Sequence, residues 1–311
     1  MFEYNLKRLE YRWWDQLPSV PAVTSLALRQ QNHRRWEPST LAHMFARFPR
    51  LEEVHYEPWR EWNSLNVNPD RQYQHLFESI SRCNNNLKRL VVFENFNQQY
   101  PAILQKFPVQ LMDGTMTQCD SIRKPAPAVS RMVALASLQL EHLAASFIVD
   151  ASQFFQIEPS WKWPNLTSLA LTSRLLTPDG KAAEIKAMLQ SAAAAAMSMP
   201  QLETMEIWNG RKGIAGLFKY QASRERRRAT ITWRGTWEMA MEPSVIQAWE
   251  AIVQQFHAWR LNMVHEWLDG AVIKSHGDAI HYLKLSSQVV RPISLQQIQI
   301  EQEFMEGLTT V

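Results

Sequence analysis

The chain has 311 residues, of which 46% are hydrophobic and 20% are charged, and this composition supplies enough apolar material for a large core. Lys and Arg outnumber Asp and Glu by only 33 to 30, which argues against a protein that holds nucleic acid mainly through phosphate charge. The two cysteines, Cys83 and Cys119, lack the spacing of a disulfide framework or a zinc site. A globular protein of a reducing compartment, with a cytoplasmic localisation, is therefore expected.

No stretch of the sequence predicts a membrane span or a signal peptide. The first residues, MFEYNLKRLEYRWWDQL, carry charges throughout. The longest run of low charge, SAAAAAMSM at 191–199, is far shorter than the roughly 20 residues that cross a bilayer. We expect no membrane span.

A short pattern recurs along the chain and predicts strands. It consists of an apolar residue, two variable residues, an apolar residue, one variable residue and an apolar residue. The matching stretches are VTSLAL (23–28), LEEVHY (51–56), LKRLVV (87–92), LEHLAA (140–145), LTSLAL (166–171), LETMEI (202–207) and LQQIQI (295–300). Such spacing is typical of degenerate leucine-rich repeats. Chance matches to a loose pattern are the alternative.

Helix signals lie between these stretches. Pro38 precedes Leu41, Phe45 and Phe48. Pro69 and Asp70 open a second helical pattern, and residues 177–179 open a third that runs to Pro200. Proline in the first turn costs no hydrogen bond, and apolar spacings of three and four mark one buried face. The repeating unit is therefore strand, loop and helix.

These units predict an α/β fold, an irregular leucine-rich-repeat-like solenoid with parallel strands on the concave face and helices on the convex face. We interpret the chain as a single domain, 1–311. Its parts are main repeats at 18–210, a hairpin plus a long helix at 211–270, and a terminal repeat at 271–311.

The segment 217–237, LFKYQASRERRRATITWRGTW, interrupts the repeats. Its two ends favour strands, and the polar residues between them predict a hairpin whose exposed tip carries Arg224, Arg226, Arg227 and Arg228. A solvated tip is favoured over a nucleic-acid grip because no basic surplus exists elsewhere. After it, Pro243 begins a helical pattern that extends to Gly270.

The alternate strand positions define the candidate site on the concave face. Small residues in the middle of this face, flanked by aromatic residues, predict a pocket for an apolar small molecule. Arg89, His55 and His142 are the candidate catalytic residues, because each can donate a hydrogen bond to a carbonyl or a carboxylate. The candidate substrate-binding residues are Arg29, Glu57, Phe93, Thr172, Trp208 and Trp233. Gln297 and Gln299 of the last stretch are expected on the same face.

Familiar catalytic motifs are missing from the sequence. It has only nine glycines and no G-x-G-x-x-G or Walker-type loop, no H-E-x-x-H and no G-x-S-x-G. His257 and His265 have no partner at ligand spacing. We therefore expect no cofactor and no metal.

Several stretches together resemble a known family. EPSTLAHMFARFPRLEEVHYEPWREW, LKRLVVFENFN, LFKYQ, ITWRGTW and EPSVIQAWEAIVQQF are similar to the carboxyl-terminal part of fungal proteins described as F-box or leucine-rich-repeat-like. The resemblance covers roughly residues 18 to 300. It implies a repeat domain that recognises proteins. The stretch MFEYNLKRLEYRWWDQLPSV does not match the F-box pattern L-P-x-E-I-L with which members commonly begin.

Two functions follow as hypotheses. One is a cofactor-independent cyclase or isomerase, a Diels–Alderase-like pericyclase acting on an apolar terpenoid or polyketide intermediate of fungal secondary metabolism. Such a step needs shape complementarity and one hydrogen bond to a carbonyl. The other is a leucine-rich-repeat module that binds a protein partner without catalysis. The sequence favours the first slightly.

Overall fold

The computed structural model describes residues 2–4, 8–30, 34–60, 67–83, 86–96, 124–225, 227–257, 259–286 and 288–309. Its strands are β1 (Phe2–Tyr4), β2 (Ser25–Leu28), β3 (Arg34–Trp36), β4 (Glu53–Tyr56), β5 (Arg89–Phe93), β6 (His142–Ser146), β7 (Ser168–Thr172), β8 (Thr204–Arg211), β9 (Ile214–Ser223), β10 (Arg228–Gly235) and β11 (Arg260–Trp267). Its α-helices are α1 (Arg8–Gln16), α2 (Pro38–Phe45), α3 (Val67–Cys83), α4 (Pro127–Ala136), α5 (Ala151–Phe154), α6 (Ala182–Ala196), α7 (Pro243–Phe256), α8 (His276–Leu283) and α9 (Pro292–Thr309).

A mixed sheet of nine strands organises the fold, and β1 and β3 form a separate parallel pair. The order in the large sheet is β11-β10-β9-β8-β7-β6-β5-β4-β2. From β2 to β8 all neighbours are parallel, whereas β9 is antiparallel to both β8 and β10. The edge strand β11 is parallel to β10. The α/β class predicted from the sequence is confirmed, and the sheet is mostly parallel.

Six of the seven predicted strands are confirmed, and each begins two residues into its pattern, for example at Ser25 in the stretch 23–28. Of the predicted helix starts, the one at 177–179 is wrong, because α6 begins at Ala182, and Pro69 lies two residues inside α3, which begins at Val67. The starts at Pro38 and Pro243 are confirmed, because both prolines lie in the first turns of α2 and α7. These prolines lack an N–H that the first turn leaves unbonded in any case.

One face of the sheet is covered by the helices α2 to α7. Val54, Leu90, Leu143, Leu169 and Met205 point into this core and are at most 1% exposed. Consecutive helices contact each other in chain order from α2 to α7. Leucine, valine and methionine at alternate positions bury one face of each strand, so the repeating pattern builds one continuous core.

The other face, here called the second face, is covered by the C-terminal segment (residues 268–286 and 288–304). Ile273, Ile280, Val289 and Ile298 of this segment are buried against strand residues such as Val91. Polar anchors hold the segment in place. Glu57 accepts hydrogen bonds from the Arg291 N–H (2.9 Å) and the Ser294 hydroxyl (2.5 Å). Glu206 accepts one from the Ser286 N–H (2.6 Å) and lies 3.7 Å from Lys219 Nζ.

The prediction of a terminal strand at 295–300 is wrong. These residues belong to α9, and Gln297 and Gln299 lie on that helix rather than on a strand of the site. Leu295 and Ile298 are three residues apart, which suits one face of a helix as well as it suits a strand pattern. Pro292 in the first turn and packing across the second face favour the helix.

The prediction of one helix over 243–270 is also wrong. α7 ends at Phe256, and β11 occupies Arg260–Trp267. Leu261 and Met263 alternate with the exposed Asn262, so the segment also has the period of a strand. The free edge of β10 supplies backbone partners for it, and pairing therefore overrides helical spacing.

The predicted hairpin is confirmed. β9 and β10 pair antiparallel from Gly216 with Gly235 to Ser223 with Arg228. Arg224, Arg227 and Arg228 are exposed at its tip, and Arg226 lies outside the described residues.

In the described parts of the chain, no helix has the length and apolar character needed to cross a membrane.

His276 is a buried titratable anchor of the C-terminal segment, and we predict that it makes the fold sensitive to acid. Its Nε2 lies 2.8 Å from Asn95 Oδ1, its ring stacks on Phe96 at 4.4 Å, and burial lowers its pKa from 6.5 to about 3. Because the folded pKa is lowered, the unfolded chain takes up this proton at a higher pH. The neutral imidazole stabilises the fold fully above about pH 6.5, and this stability is lost toward about pH 3, by up to about 1.4 kcal/mol per pH unit.

The variant His276→Phe should be less stable than the wild type at neutral pH, by about 1–3 kcal/mol, because Asn95 loses its partner. Below about pH 6.5 the difference should shrink, since phenylalanine does not titrate. Urea unfolding of both proteins at several pH values, from neutral to acidic, measures the difference in their free energies of unfolding. A difference that stays constant with pH contradicts the prediction.

Candidate functional site

A row of polar side chains crosses the second face beside the part that the C-terminal segment covers. We call it the polar row, and its members are Glu53, Arg89, His142, Ser168, Thr204, Gln221 and Thr230. Each is in register with the next across strands β4 to β10. The first five are the opening residues of their strands. The row therefore runs along the amino-terminal ends of the parallel strands.

The polar row is accessible at six of its seven members, Thr204 being only 9% exposed, whereas the next row of the same face is not accessible. Glu53, Arg89, His142 and Ser168 are half-buried, and Gln221 is exposed. The next row on this face lies two residues further along the same strands. It consists of His55, Val91, Ala144, Ala170 and Glu206, and each of these residues is at most 3% exposed. The C-terminal segment thus closes the face up to the polar row and leaves the row facing outward.

The row has a charged end at β4 and β5. The buried His55 directs Nε2 at Glu53 Oε1 over 2.8 Å, and Arg89 Nε lies 3.3 Å from the same oxygen. Burial by itself raises the pKa of Glu53, but the hydrogen bond from His55 and the charges of His55, Arg89 and Arg291 lower it on balance. Glu53 is therefore an ionised carboxylate that holds Arg89 in place.

His142 lies beside Arg89 and is neutral at physiological pH. Burial and the neighbouring guanidinium of Arg89 lower its pKa below the ordinary 6.5, against the opposing charges of Glu141, Glu203 and Glu53. Its Nδ1 is 3.4 Å from the Thr167 hydroxyl. A neutral imidazole beside a fixed cation can accept a proton or a hydrogen bond from a bound molecule while the guanidinium binds an oxygen.

The other end of the row opens into a polar depression. Gln221 and Thr230 line it together with Ser223, Glu225 and Arg228, and its volume is about 300 Å³. Arg228 belongs to the hairpin tip that the sequence marked as basic. The row therefore offers charge at one end and a hydrogen-bonding hollow at the other.

All three candidate catalytic residues, Arg89, His55 and His142, meet at the charged end of the row. Arg89 and His142 are direct register partners on β5 and β6. His55 is 1% exposed, and its Nδ1 has no hydrogen-bond partner among the described residues. Sequence reasoning missed Arg291, whose charge reaches Glu53 from the C-terminal segment.

Most of the candidate substrate-binding residues lie in packed interior. Phe93 and Trp208 are fully buried, and the Trp208 ring meets Phe147 edge to face at 5.2 Å. Thr172 Oγ1 accepts a hydrogen bond from the Phe147 N–H (2.7 Å). Glu57 anchors the C-terminal segment, as described above. The space that small residues such as Ala170 leave on this face is filled by the chain's own apolar side chains.

The two remaining candidates lie elsewhere. Trp233 is in register with Phe218 in the helix-covered core, so its predicted place at the pocket on the second face is wrong. Its indole N–H donates to the Trp237 carbonyl (3.1 Å). Arg29 follows β2 directly and is half-buried. Strand alternation accounts for the position of Trp233, because Thr230 of the same strand lies in the polar row and Trp233, three residues further on, faces the opposite side of the sheet.

A second cleft lies outside the predicted site, between α6 and the segment that precedes α7. It measures about 200 Å³ and is lined by apolar residues such as Ile185, Leu189 and Met241, with Lys186 and Glu242 at 3.4 Å from each other. Its volume is below the roughly 300 Å³ at which ligand pockets usually begin.

In the described part of the chain no three His, Cys, Asp or Glu side chains are grouped to hold a metal ion.

Residues 82–291 match a family whose description is "Family of unknown function (DUF6546)". This match covers more than half of the chain and includes β5 to β11 and α8. No curated protein and no solved structure shows a significant match to the chain. The function must therefore be argued from the site itself.

We predict that the variant Arg89→Met raises the pKa of His142, because it removes the nearest charge that opposes protonation. An NMR titration of the histidine ring signals measures this value. Lys88→Met is the matched control, since Lys88 is the preceding residue but bonds to Glu52 (2.9 Å) on the surface. A pKa that is the same in Arg89→Met as in the wild type contradicts the electrostatic coupling.

Proposed function

The chain belongs to the DUF6546 family, whose function is unknown, and we propose that it is a recognition module that binds an extended segment of a protein partner along the polar row. The observation that carries the proposal is the contrast between this accessible row and the covered remainder of the same face. A surface that the protein's own C-terminal segment leaves open is available to a partner. No cofactor enters this activity.

The dimensions of the row suit a short peptide. Seven strands from β4 to β10 give six spacings of about 4.8 Å, or about 29 Å in all. An extended chain covers this length with about eight or nine residues. The row offers carboxylate, guanidinium, imidazole, hydroxyl and amide groups in turn, so a polar segment can form a hydrogen bond at nearly every strand.

We propose that β2 to β8 and their helices are irregular leucine-rich-repeat-like units, related to the fungal F-box-type proteins that the sequence resembles. The constant offset between pattern and strand start supports this kinship. Repeat proteins commonly bind partners on the strand surface.

The recognition proposal predicts that substitutions in the row abolish binding and that substitutions just outside it do not. The variant Arg89→Ala/His142→Ala should weaken partner binding by at least about tenfold, because a few central side chains carry most of an interface's energy. Lys88→Ala/Glu141→Ala is the matched control, since each residue precedes its counterpart in the chain. Partners cross-linked through a photoreactive residue at Gln221 identify the segment, and titration calorimetry measures its affinity. Equal affinity in both variants refutes the proposal.

A second candidate function is cofactor-independent cyclisation or isomerisation of an apolar terpenoid or polyketide intermediate. What favours it is that Arg89 and His55 both contact Glu53 and that His142 is the direct register partner of Arg89. In this proposal Arg89 binds the substrate's carbonyl oxygen and stabilises charge that develops in the transition state. The neutral His142 accepts or donates a hydrogen bond beside it.

The enzyme proposal predicts a product of unchanged mass when the purified protein, without cofactor, is incubated with metabolites from a strain that lacks the gene. Arg89→Met and His142→Gln should each lower turnover by about a hundredfold or more, since they remove groups aimed at developing charge. Lys88→Met should keep full activity. Liquid chromatography with mass spectrometry follows the conversion, and equal turnover in all variants excludes this site.

A further inference from the structure

The edge strand β11 presents a long backbone edge. It pairs with β10 one residue to one residue from Arg260 to Trp267, without a bulge. Within the described ranges no strand pairs with its outer side. At the opposite end of the sheet, β2 has only 4 residues. An edge of eight residues with unpaired N–H and C=O groups is a template for another strand.

The backbone groups that face outward can be assigned. Just beyond β11, the Leu268 N–H donates to the Gly235 carbonyl of β10 over 2.9 Å. In a parallel ladder, the residues that bond to one neighbour alternate with those whose N–H and C=O point the other way. Even-numbered residues of β11 therefore bond to β10, and Leu261, Met263, His265 and Trp267 present their backbone groups outward.

The side chains of β11 do little to block pairing. Trp267 is 70% exposed and Val264 is 37% exposed. The strand has neither proline nor lysine, two residues that commonly protect edges. Its charged pair, Arg260 and Glu266, lies near its two ends on the same face. Arg234 holds the Glu266 carboxylate in place through a hydrogen bond from Nε (2.6 Å) and an ion pair from Nη2 (2.5 Å) to the same oxygen.

We propose that a second copy of this chain occupies the edge, with the two β11 strands antiparallel about a two-fold axis through Met263. In this register Arg260 faces Glu266 of the second copy, and the same pair recurs on the other side of the axis. Leu261 faces His265, and Met263 faces its own copy. The two nine-stranded sheets become one continuous sheet. The inference is independent of what the polar row binds.

Charge complementarity selects this register. Residues opposite each other must share a face, so the axis must pass through a residue rather than between two. With the axis at Met263, outward-facing odd residues oppose each other and form the hydrogen-bonded pairs. Arg260 and Glu266 then form non-hydrogen-bonded pairs, in which side chains approach most closely. An axis at Val264 pairs Glu266 with Asn262 and leaves Arg260 without an acidic partner.

Sedimentation equilibrium of the full chain tests the proposal. The wild type should form dimers. Arg260→Glu and Glu266→Arg should each weaken self-association by at least about tenfold, because each replaces two attractive pairs by two repulsive ones. An equimolar mixture of the two variants should recover association, since the two introduced charges are opposite in sign and face each other across the axis. Glu250→Arg, which changes the exposed surface of α7 by the same charge, should associate like the wild type.

A backbone test separates strand pairing from other contacts. His265→Pro removes an outward N–H that makes no bond to β10 and should yield a folded monomer. Circular dichroism and thermal unfolding check that each variant is folded. A wild type that remains monomeric overturns the proposal and assigns the edge to another occupant. Folded single variants that dimerise like the wild type, or a mixture that fails to associate, overturn it as well.

Discussion

The need to cover both faces of a mostly parallel sheet governs this structure. Strands β5 to β8 carry apolar residues on both sides, such as Leu90 and Leu143 on one and Val91 and Ala144 on the other. Water must be excluded from both surfaces, because a parallel sheet is stable only when it is buried on both faces. The helices between strands cover one face. The C-terminal segment returns across the sheet and covers the other face up to the polar row.

Buried carboxylates determine where the returning segment lies. Glu57 and Glu206 are at most 2% exposed, and such groups are stable in the interior only when hydrogen bonds replace their water. Ser294, Ser286 and the backbone of Arg291 supply those bonds. Apolar packing drives the segment onto the sheet, and the carboxylates set its position, since misplacement leaves a buried charge without donors.

The accessible chemistry of the molecule is a consequence of this cover. The residues two positions further along the strands, such as His55 and Val91, are buried. The polar row therefore lies at the boundary between the protein interior and solvent. At this boundary Glu53 is ionised and His142 is neutral, because burial and close charges act together. Charges that are partly shielded from water interact more strongly than charges on an open surface. The row therefore presents side chains that a ligand can reach, with an ionised carboxylate and a neutral imidazole near each other. Both recognition and catalysis can use such groups.

The sequence by itself determined the α/β class, six parallel strands, the helix starts at Pro38 and Pro243 and the hairpin between β9 and β10. These features are local, since apolar spacing and proline act within a few residues. It also predicted that Arg89, His55 and His142 lie on the same face of neighbouring strands, because strand alternation and parallel register follow from the pattern. The tertiary structure decided the rest. Residues 257–267 and 295–300 satisfy both helical and strand spacing, and only the neighbouring strand β10 or the uncovered second face selects between them. The filling of the predicted pocket was decided at the same level, because no local pattern reveals that a distant segment packs over Phe93 and Trp208.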